Sequence, residues 1–412
     1  MGETSFVTDQ VWSKIPDGSI TTPKGFKATG IHTKVKRKRK DLGIIYCEQP
    51  VPAAAVYTLN QIQAAPIALT KQVLEDGGHV QAVVVNSGHA NACTGHAGLV
   101  DAYTVQEKAA DVFNMQADNV AVASTGLIGE RMKLEKILPG LEQLVPTESK
   151  EEASSFAESI LTTDTGTKEV CVQVPIDGKV VTIAGVAKGS GMIHPNMATM
   201  LGFVTTDAHI EHDVLQQTLS KVTDQTYNRI TVDGDTSTND MVLTMASGEA
   251  NNQSLTPDHP DWDAFLRAFT HVNEELSKMI AKDGEGATKL IEVVVNGAPT
   301  NECAGKVAKQ IVGSDLVKTA VYGADANWGR IICAIGYAGV PINPDTIDIG
   351  IGPCQTLLQS EPVPFDEEEI SVYLQNDTIQ IKIDLHVGEG YGKAWGCDLT
   401  YDYVRINAGY RT

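Results

Sequence analysis

The chain has 412 residues, 42% hydrophobic and 20% charged, which gives room for one to three globular domains and excludes a disordered chain. A formal net charge of −20 argues against nucleic acid or an anionic membrane as a partner. The seven cysteines, at 47, 93, 171, 303, 333, 354 and 397, never form Cys-x-x-Cys. They predict small buried hydrophobes in a reducing compartment, not a disulfide framework or a zinc site. Apolar runs such as Val83–Val85 and Val293–Val295 are strand-sized, far below the roughly 20 residues of a membrane span. The early Glu3 and Asp9 leave no apolar leader, so a cytoplasmic location without a membrane anchor is expected.

In chain order, the first sixty residues read as short strands and turns. Leu42-Gly43-Ile44-Ile45-Tyr46 predicts a strand within 41–49, closed by Pro50 and Pro52. Before it, Lys34-Val35-Lys36-Arg37-Lys38-Arg39-Lys40 is a basic run without interleaved aromatics, read as a solvated edge rather than a nucleic-acid patch. A helix is expected from Pro66 to Asp76, stopped by Gly77-Gly78. The buried strand Val80–Val85 leads into a polar loop, Asn86-Ser87-Gly88-His89-Ala90-Asn91-Ala92-Cys93-Thr94-Gly95, and a long helix to Asn114. A second short strand, Val120–Ala123, ends in Ser124-Thr125-Gly126. Strand, small polar loop and helix thus recur, an α/β rhythm.

Two helices fill 133–161, with Pro139-Gly140 breaking the first, and a hairpin of 169–174 against 179–187 turns at Asp177-Gly178. The second half predicts helices near 209–226 and 261–281, strands near 230–247 and 290–295, and a helical region through 303–337. Strands follow at 346–351, 370–374, 379–386 and 397–406, where Tyr373/Leu374 and Ile379, Ile381, Ile383 and Leu385 supply the period of two. No internal repeat and no low-complexity linker separates the halves.

Several familiar chemistries fail on spacing. Gly388-x-Gly390-x-Gly392-Lys393 has its first glycine at the wrong offset for a phosphate loop, and Ala394 stands where Ser or Thr is needed. Gly189-Ser190-Gly191 lacks the third glycine of a dinucleotide fingerprint. His209 and His212 make a weak metal pair on a surface helix, and Asp233, Asp235 and Asp240 do not match a calcium loop. The stretch 233–240 reads instead as a rigid polar turn beside an active site. What remains are small-residue loops at 86–95, 124–126, 162–167, 188–199, 233–240 and 323–329. On an α/β scaffold these suit an amino-acid-sized ligand and a hydroxyl nucleophile.

The segment Lys188-Gly189-Ser190-Gly191-Met192-Ile193-His194-Pro195-Asn196-Met197-Ala198-Thr199-Met200-Leu201 closely resembles the self-cleavage site of the ornithine acetyltransferase (glutamate N-acetyltransferase) family. Asn86 through Gly95, Ser124 through Gly129, Thr231 through Ser237, and Tyr322-Gly323-Ala324-Asp325-Ala326-Asn327-Trp328-Gly329-Arg330 resemble further blocks of that family, all in the family's order. One departure is His89, where the family pattern has Asn.

The resemblance implies an α/β (α+β) fold, an αββα layered sandwich of the ornithine acetyltransferase and DmpA-like type, with a smaller second lobe in the C-terminal half. It implies self-cleavage between Ala198 and Thr199 into an α chain, 1–198, and a β chain, 199–412, assembled as an α2β2 heterotetramer. The implied reaction is ping-pong: N-acetyl-L-ornithine acetylates Thr199, ornithine leaves, and L-glutamate takes the acetyl group, a step of arginine biosynthesis. Thr125 and Gly126 match the oxyanion-hole pair. Thr162 (with Thr163 as its neighbour in register), Lys188, Thr199, Glu285, Asn407 and Thr412 match the substrate-binding positions. No metal and no cofactor is implied; acetyl-CoA stands as a second donor that no residue decides. Two alternatives are a self-processing amidohydrolase or aminopeptidase on a related scaffold and a cleaved amino-acid-binding protein without catalysis.

Overall fold

A computed structural model describes residues 11–194 and 200–409. The protein is a mixed α/β molecule with eleven α-helices and two large sheets among the described residues. The nine-stranded first sheet runs Ser13–Lys14, Lys168–Ile176, Lys179–Lys188, Leu201–Thr206, Met241–Ala246, Leu42–Tyr57, His79–His89, Val120–Leu127, and Lys27–Ile31 branches onto Leu42–Tyr57. The seven-stranded second sheet is built wholly from residues 230–397.

The strand Leu42–Tyr57 holds the first sheet together. Its first half pairs with His79–His89 and its last residues pair with Met241–Ala246. The pairing register shifts between Tyr46 and Val51, so Pro50 sits at an irregularity, Pro52 is paired with His79 just after it, and neither closes the strand as expected. Prolines are tolerated at such irregular positions, where a ladder donor is already lost.

Two further strands run longer than predicted. His79–His89 and Val120–Leu127 continue their parallel ladder into the polar residues, pairing Asn86 with Ser124, Ser87 with Thr125 and Gly88 with Gly126. The hairpin forms as predicted, with Asp177 and Gly178 both at positive φ (52° and 68°), the twist a two-residue turn requires. Gly78 caps the helix Ala65–Gly77 at φ 64°, while Pro139 sits inside the helix Leu134–Leu141 rather than breaking it.

The helix Trp262–Lys282 packs on Lys168–Ile176 and Lys179–Lys188 of the first sheet and on Gly390–Cys397 of the second. A side chain at Gly185 would meet Leu276 of that helix at 2.7 Å, so a glycine there permits the close approach. The C-terminal lobe has its own core, Ile291, Val293, Val295, Val307, Ile311, Ile349, Ile381 and Ile383 among others, and is the smaller lobe expected there.

Two expected strands of this lobe are corrected. Residues 370–374 lie in the helix Glu367–Tyr373 and its C-cap, and the helix starts because the Asp366 carboxylate accepts from the N–H groups of Glu368 (2.9 Å) and Glu369 (3.2 Å). The predicted strand 397–406 is the end of the strand Gly390–Cys397 followed by the helix Tyr401–Gly409. Of the glycines that resembled a phosphate loop, Gly390 and Gly392 lie on that strand, and side chains there would strike the backbone of 300–305 at 2.4–2.5 Å. They serve packing of the helix Asn301–Val312.

All seven cysteines are free. Burial is less uniform than predicted: Cys47, Cys171 and Cys397 are buried, but Cys93 and Cys333 are exposed. Among the described residues, no helix is long and apolar enough to cross a membrane.

Candidate active site

Thr125 and Gly126 close the strand Val120–Leu127, against Ser87 and Gly88. Gly126 has φ +127°, and a Cβ there would lie 2.4 Å from the Gly88 carbonyl carbon. Glycine is therefore required by both conformation and space. The strand end is tied down from outside: Asn239 Nδ2 donates to Ser124 O (2.8 Å) and Ala90 O (2.5 Å).

Lys188 ends the strand Lys179–Lys188 with its side chain buried. Its Nζ donates to Thr125 Oγ1 at 3.1 Å and to Thr162 Oγ1 at 3.2 Å. Burial pushes its pKa down from the usual lysine value, opposed by the carboxylates of Asp164, Asp240 and Glu285. Behind it, Asp164 accepts from Lys168 Nζ (2.7 Å), Gly189 N (2.6 Å) and Thr162 N (3.0 Å). Burial alone would raise the Asp164 carboxyl, but the Lys168 and Lys188 ammonium groups hold it well below the usual carboxylate range. Lys168 also reaches Asp283 at 2.6 Å.

Glu285 is placed by its N–H, which donates to Ser190 O at 3.0 Å, and its carboxylate accepts from Asn407 Nδ2 at 2.8 Å. Gly191 leaves room for that carboxylate; a Cβ there would lie 2.4 Å from it. The helix carrying Asn407 is seated by Thr400, whose hydroxyl donates to Gly286 O (2.7 Å) and accepts from Asp402 N (3.2 Å). Tyr322 meets Tyr401 edge-on at 5.9 Å between ring centroids, so the block 322–330 buttresses this helix and does not line the cavity.

Ala198, Thr199 and Thr412 lie outside the described residues. The chain is held firmly on both sides of the first two. Met192 and Ile193 N–H groups donate to Asp233 (2.7 and 2.9 Å), Val232 N donates to Ile193 O (2.7 Å), and His194 Nδ1 meets Thr231 Oγ1 at 2.9 Å. On the far side, Met241 N donates to Met200 O at 2.9 Å.

The predicted residues Thr125, Gly126, Thr162, Lys188, Glu285 and Asn407 line one cavity of about 170 Å³, with Thr163 beside Thr162. Asp233, Asp235, Ser237, Asn239, Asp240 and Tyr403 are among the other residues that line it. The turn 233–240 is thus beside the site, as its composition suggested. Asp233 spends its carboxylate on the backbone of 192–193. Asp240 belongs to the site although its sequence context marks it only as part of a polar turn. It is 3% exposed, its Oδ2 has no hydrogen-bond partner, and burial raises its carboxyl well above the usual range. Tyr403 escapes sequence reasoning because its segment has the look of a strand.

One lysine, several carboxylates and a wall of hydroxyls and N–H groups suit a small ligand with both carboxylate and ammonium ends. Among the described residues, one trio has metal-ligating atoms close together, Asp177, His259 and Asp261, at the hairpin turn. Its carboxylates already have partners: Asp177 N donates to Asp261 Oδ2 at 2.8 Å, and His259 Nε2 lies 3.2 Å from Asp177 Oδ2.

A model of the ArgJ family matches residues 27–412. The arginine biosynthesis bifunctional protein ArgJ of Shouchella clausii is 64% identical over 99% of this chain and 100% of its own length. That of Geobacillus stearothermophilus is 58% identical over 98% of each. A crystal structure of arginine biosynthesis bifunctional protein argJ from Bacillus halodurans is 68% identical, covers 52% of this chain and 100% of that chain, and has a TM-score of 0.51.

Proposed function

Because the chain belongs to the ArgJ family, we propose that it is a self-processing acetyltransferase moving acetyl from N-acetyl-L-ornithine to L-glutamate in arginine biosynthesis. The observation that carries the reading is the convergence of Thr125, Gly126, Thr162, Lys188, Glu285 and Asn407 on one cavity, beside anchored ends of the chain at His194 and Met200. Those ends bracket Ala198–Thr199. The Bacillus halodurans relative, whose whole chain spans 52% of this one, has the length of one product of a cut near the middle.

In the precursor, the Thr199 hydroxyl attacks the Ala198 carbonyl, and water opens the resulting ester. The cut leaves Thr199 with a free α-amine of pKa about 7.7–8.0, a base for its own hydroxyl near neutral pH. The acetyl carbonyl of N-acetylornithine then takes the Thr199 oxygen, and the tetrahedral oxyanion is received by the Thr125 hydroxyl and the Gly126 N–H. Lys188 and Thr162 hold the substrate carboxylate, and Glu285, oriented by Asn407, takes the side-chain ammonium. Thr412 joins this subsite from the chain end. Ornithine leaves, glutamate enters, and its amine attacks the acetyl ester. Acetyl-CoA is a second donor to the same ester. The working enzyme is a cytoplasmic α2β2 assembly of residues 1–198 and 199–412.

The test combines a denaturing gel with product analysis. The purified protein should show two near-equal bands, convert N-acetylornithine and glutamate to N-acetylglutamate, and become full-length and inactive as Thr199→Ala. Active enzyme that remains one full-length band overturns the Thr199 mechanism. Release of free acetate despite saturating glutamate would make the protein an amidohydrolase instead.

A further inference from the structure

The proposed transfer moves protons as well as an acetyl group. The amide nitrogen of N-acetylornithine carries one hydrogen, and ornithine departs as an ammonium, so that nitrogen gains two protons. The Thr199 hydroxyl supplies one of them. Glutamate arrives as an ammonium without a lone pair and must lose a proton before its nitrogen can attack. Each half of the reaction therefore leaves one proton in need of a carrier.

The cavity offers few groups to carry it. No histidine is among its described lining residues, and Lys188 is engaged with Thr125 and Thr162. Of the four carboxylates on its described walls, Asp233 accepts from the Met192 and Ile193 N–H groups, Glu285 accepts from Asn407, and Asp235 is exposed. Asp240 differs from all three, being 3% exposed with no hydrogen-bond partner at its Oδ2.

Its position fits the need. Asp240 is tied through its chain neighbours to both sides of the reacting centre. Asn239 Nδ2 donates at 2.8 Å to the carbonyl of Ser124, the residue before Thr125. Met241 N donates at 2.9 Å to the carbonyl of Met200, the residue after Thr199 in the sequence. Thr58 N, just past the strand Leu42–Tyr57, donates to the Asp240 carbonyl at 3.0 Å and fixes its backbone.

We propose that Asp240 is a catalytic acid–base residue whose carboxyl protonates the departing ornithine amine and deprotonates the incoming glutamate ammonium. The inference rests on the acetyl-transfer reading and adds a residue to it. In the first half, the acetyl carbon exchanges its bond to nitrogen for one to the Thr199 oxygen. The nitrogen takes the hydroxyl proton through the Thr199 α-amine and a second proton from Asp240, which becomes a carboxylate. In the second half, the glutamate ammonium gives one proton to the Asp240 carboxylate, and its nitrogen attacks the ester carbon. The bond to the Thr199 oxygen breaks, and that oxygen regains a proton from the new amide nitrogen through the α-amine. The proton that glutamate loses balances the one that ornithine gains.

Burial raises the Asp240 carboxyl well above the usual range, opposed by a hydrogen bond from Ser237 and by the Lys188 ammonium. The other charged groups on the walls, Asp233, Asp235 and Glu285, are anionic and also favour the protonated acid. A substrate ammonium beside Asp240 favours the carboxylate, so the same group serves both directions.

The experiment compares wild type with Asp240→Asn, both as purified, self-cleaved enzyme. The donor p-nitrophenyl acetate loads the acetyl group because its leaving phenolate needs no proton. Hydroxylamine unloads it because its nitrogen is already neutral at about pH 7.5. D240N should keep this transfer, which also reports a folded enzyme, while transfer of the same acetyl group to glutamate falls at least about 100-fold. That deficit should shrink as rising pH frees the glutamate amine. A folded, cut D240N that transfers to glutamate at the wild-type rate, loses hydroxylamine transfer equally, or shows a deficit independent of pH overturns the proposal. Should D240N fail to fold or to be cut, wild type decides. Its glutamate rate should be nearly level around neutral pH; a climb of about tenfold per pH unit, the titration of the free amine alone, overturns the proposal. Transfer from N-acetylornithine to glutamate by the same wild-type preparation separately tests the acetyltransferase reading.

Discussion

The Lys188 ammonium lies 3.1 Å from the Thr125 hydroxyl oxygen, a contact between two strand ends of the first sheet. An ammonium only donates, so the Thr125 oxygen accepts here and its own proton points elsewhere, available to the oxyanion of the proposed reaction. Thr162 Oγ1 is oriented by the same lysine at 3.2 Å. Replacing Lys188 by Met should lower kcat by about 100-fold, the cost of one misaligned oxyanion donor, and also raise the KM for N-acetylornithine. Because burial lowers the lysine pKa, the alkaline fall of kcat/KM should come at lower pH than for an ordinary lysine. Steady-state kinetics across pH checks both; a kcat untouched by Lys188→Met shows that something else orients Thr125.

Thr125 and Gly126 can be separated by experiment. Thr125→Val keeps shape and should leave the thermal midpoint near wild type while lowering kcat about 10²–10³-fold. Gly126→Ala places a Cβ 2.4 Å from the Gly88 carbon at φ +127°, so the two strands must part. It should lose both thermal stability and activity. Melting curves beside rate measurements distinguish a missing donor from a broken ladder.

Asp164 is the structural support of the site. Its carboxyl titrates lower in the folded protein than in the unfolded chain, so it stabilises the fold above the unfolded pKa, about 3.9. That contribution is lost as pH falls through the folded value. Asp164→Asn leaves Lys168 and Lys188 without their shared partner and should cost about 3–5 kcal/mol at pH 7. Urea unfolding should show the deficit relative to wild type shrinking as pH drops below about 4; a deficit that does not change with pH would sink this assignment.

Asn407 donates to Glu285 at 2.8 Å from a helix that buries none of its residues. Asn407→Ala should therefore leave the melting temperature unchanged. It should raise the KM for N-acetylornithine about tenfold, the worth of one hydrogen bond to a charged group. An effect confined to kcat would place Asn407 in the chemical step instead.

The first sheet is legible in the sequence where apolar residues alternate or cluster, as at Val80–Val85 and in the Asp177-Gly178 hairpin. It is illegible where strands continue through polar residues. Asn86–His89 and Ser124–Leu127 look like loops because Ser, Thr, Asn and Gly dominate, yet they keep their ladder. Ser124 Oγ donates to Asn86 Oδ1, and Asn239, a partner more than a hundred residues away, donates to the Ser124 carbonyl. The helix Glu367–Tyr373 carries a readable signal in Asp366 and the three glutamates after it, outweighed by the apolar alternation that follows. The six candidate residues that meet on the cavity stand in motifs that can be read along the chain. Asp240 has no such mark as a cavity residue, since its isolation there arises from packing alone.

The order of the first sheet has a mechanical consequence. Its strands Leu201–Thr206 and Met241–Ala246 come from beyond residue 199, and they are flanked on one side by Lys179–Lys188 and on the other by Leu42–Tyr57. A chain severed after Ala198 is therefore dovetailed rather than divided. Neither piece can slide free until two ladders open, and opening them exposes Phe203, Leu243 and Met245 to water. If the cut proposed after Ala198 follows folding, the joint forms while the chain is still one polymer; two separately made pieces would have to find a slot that closes only as the sheet itself forms.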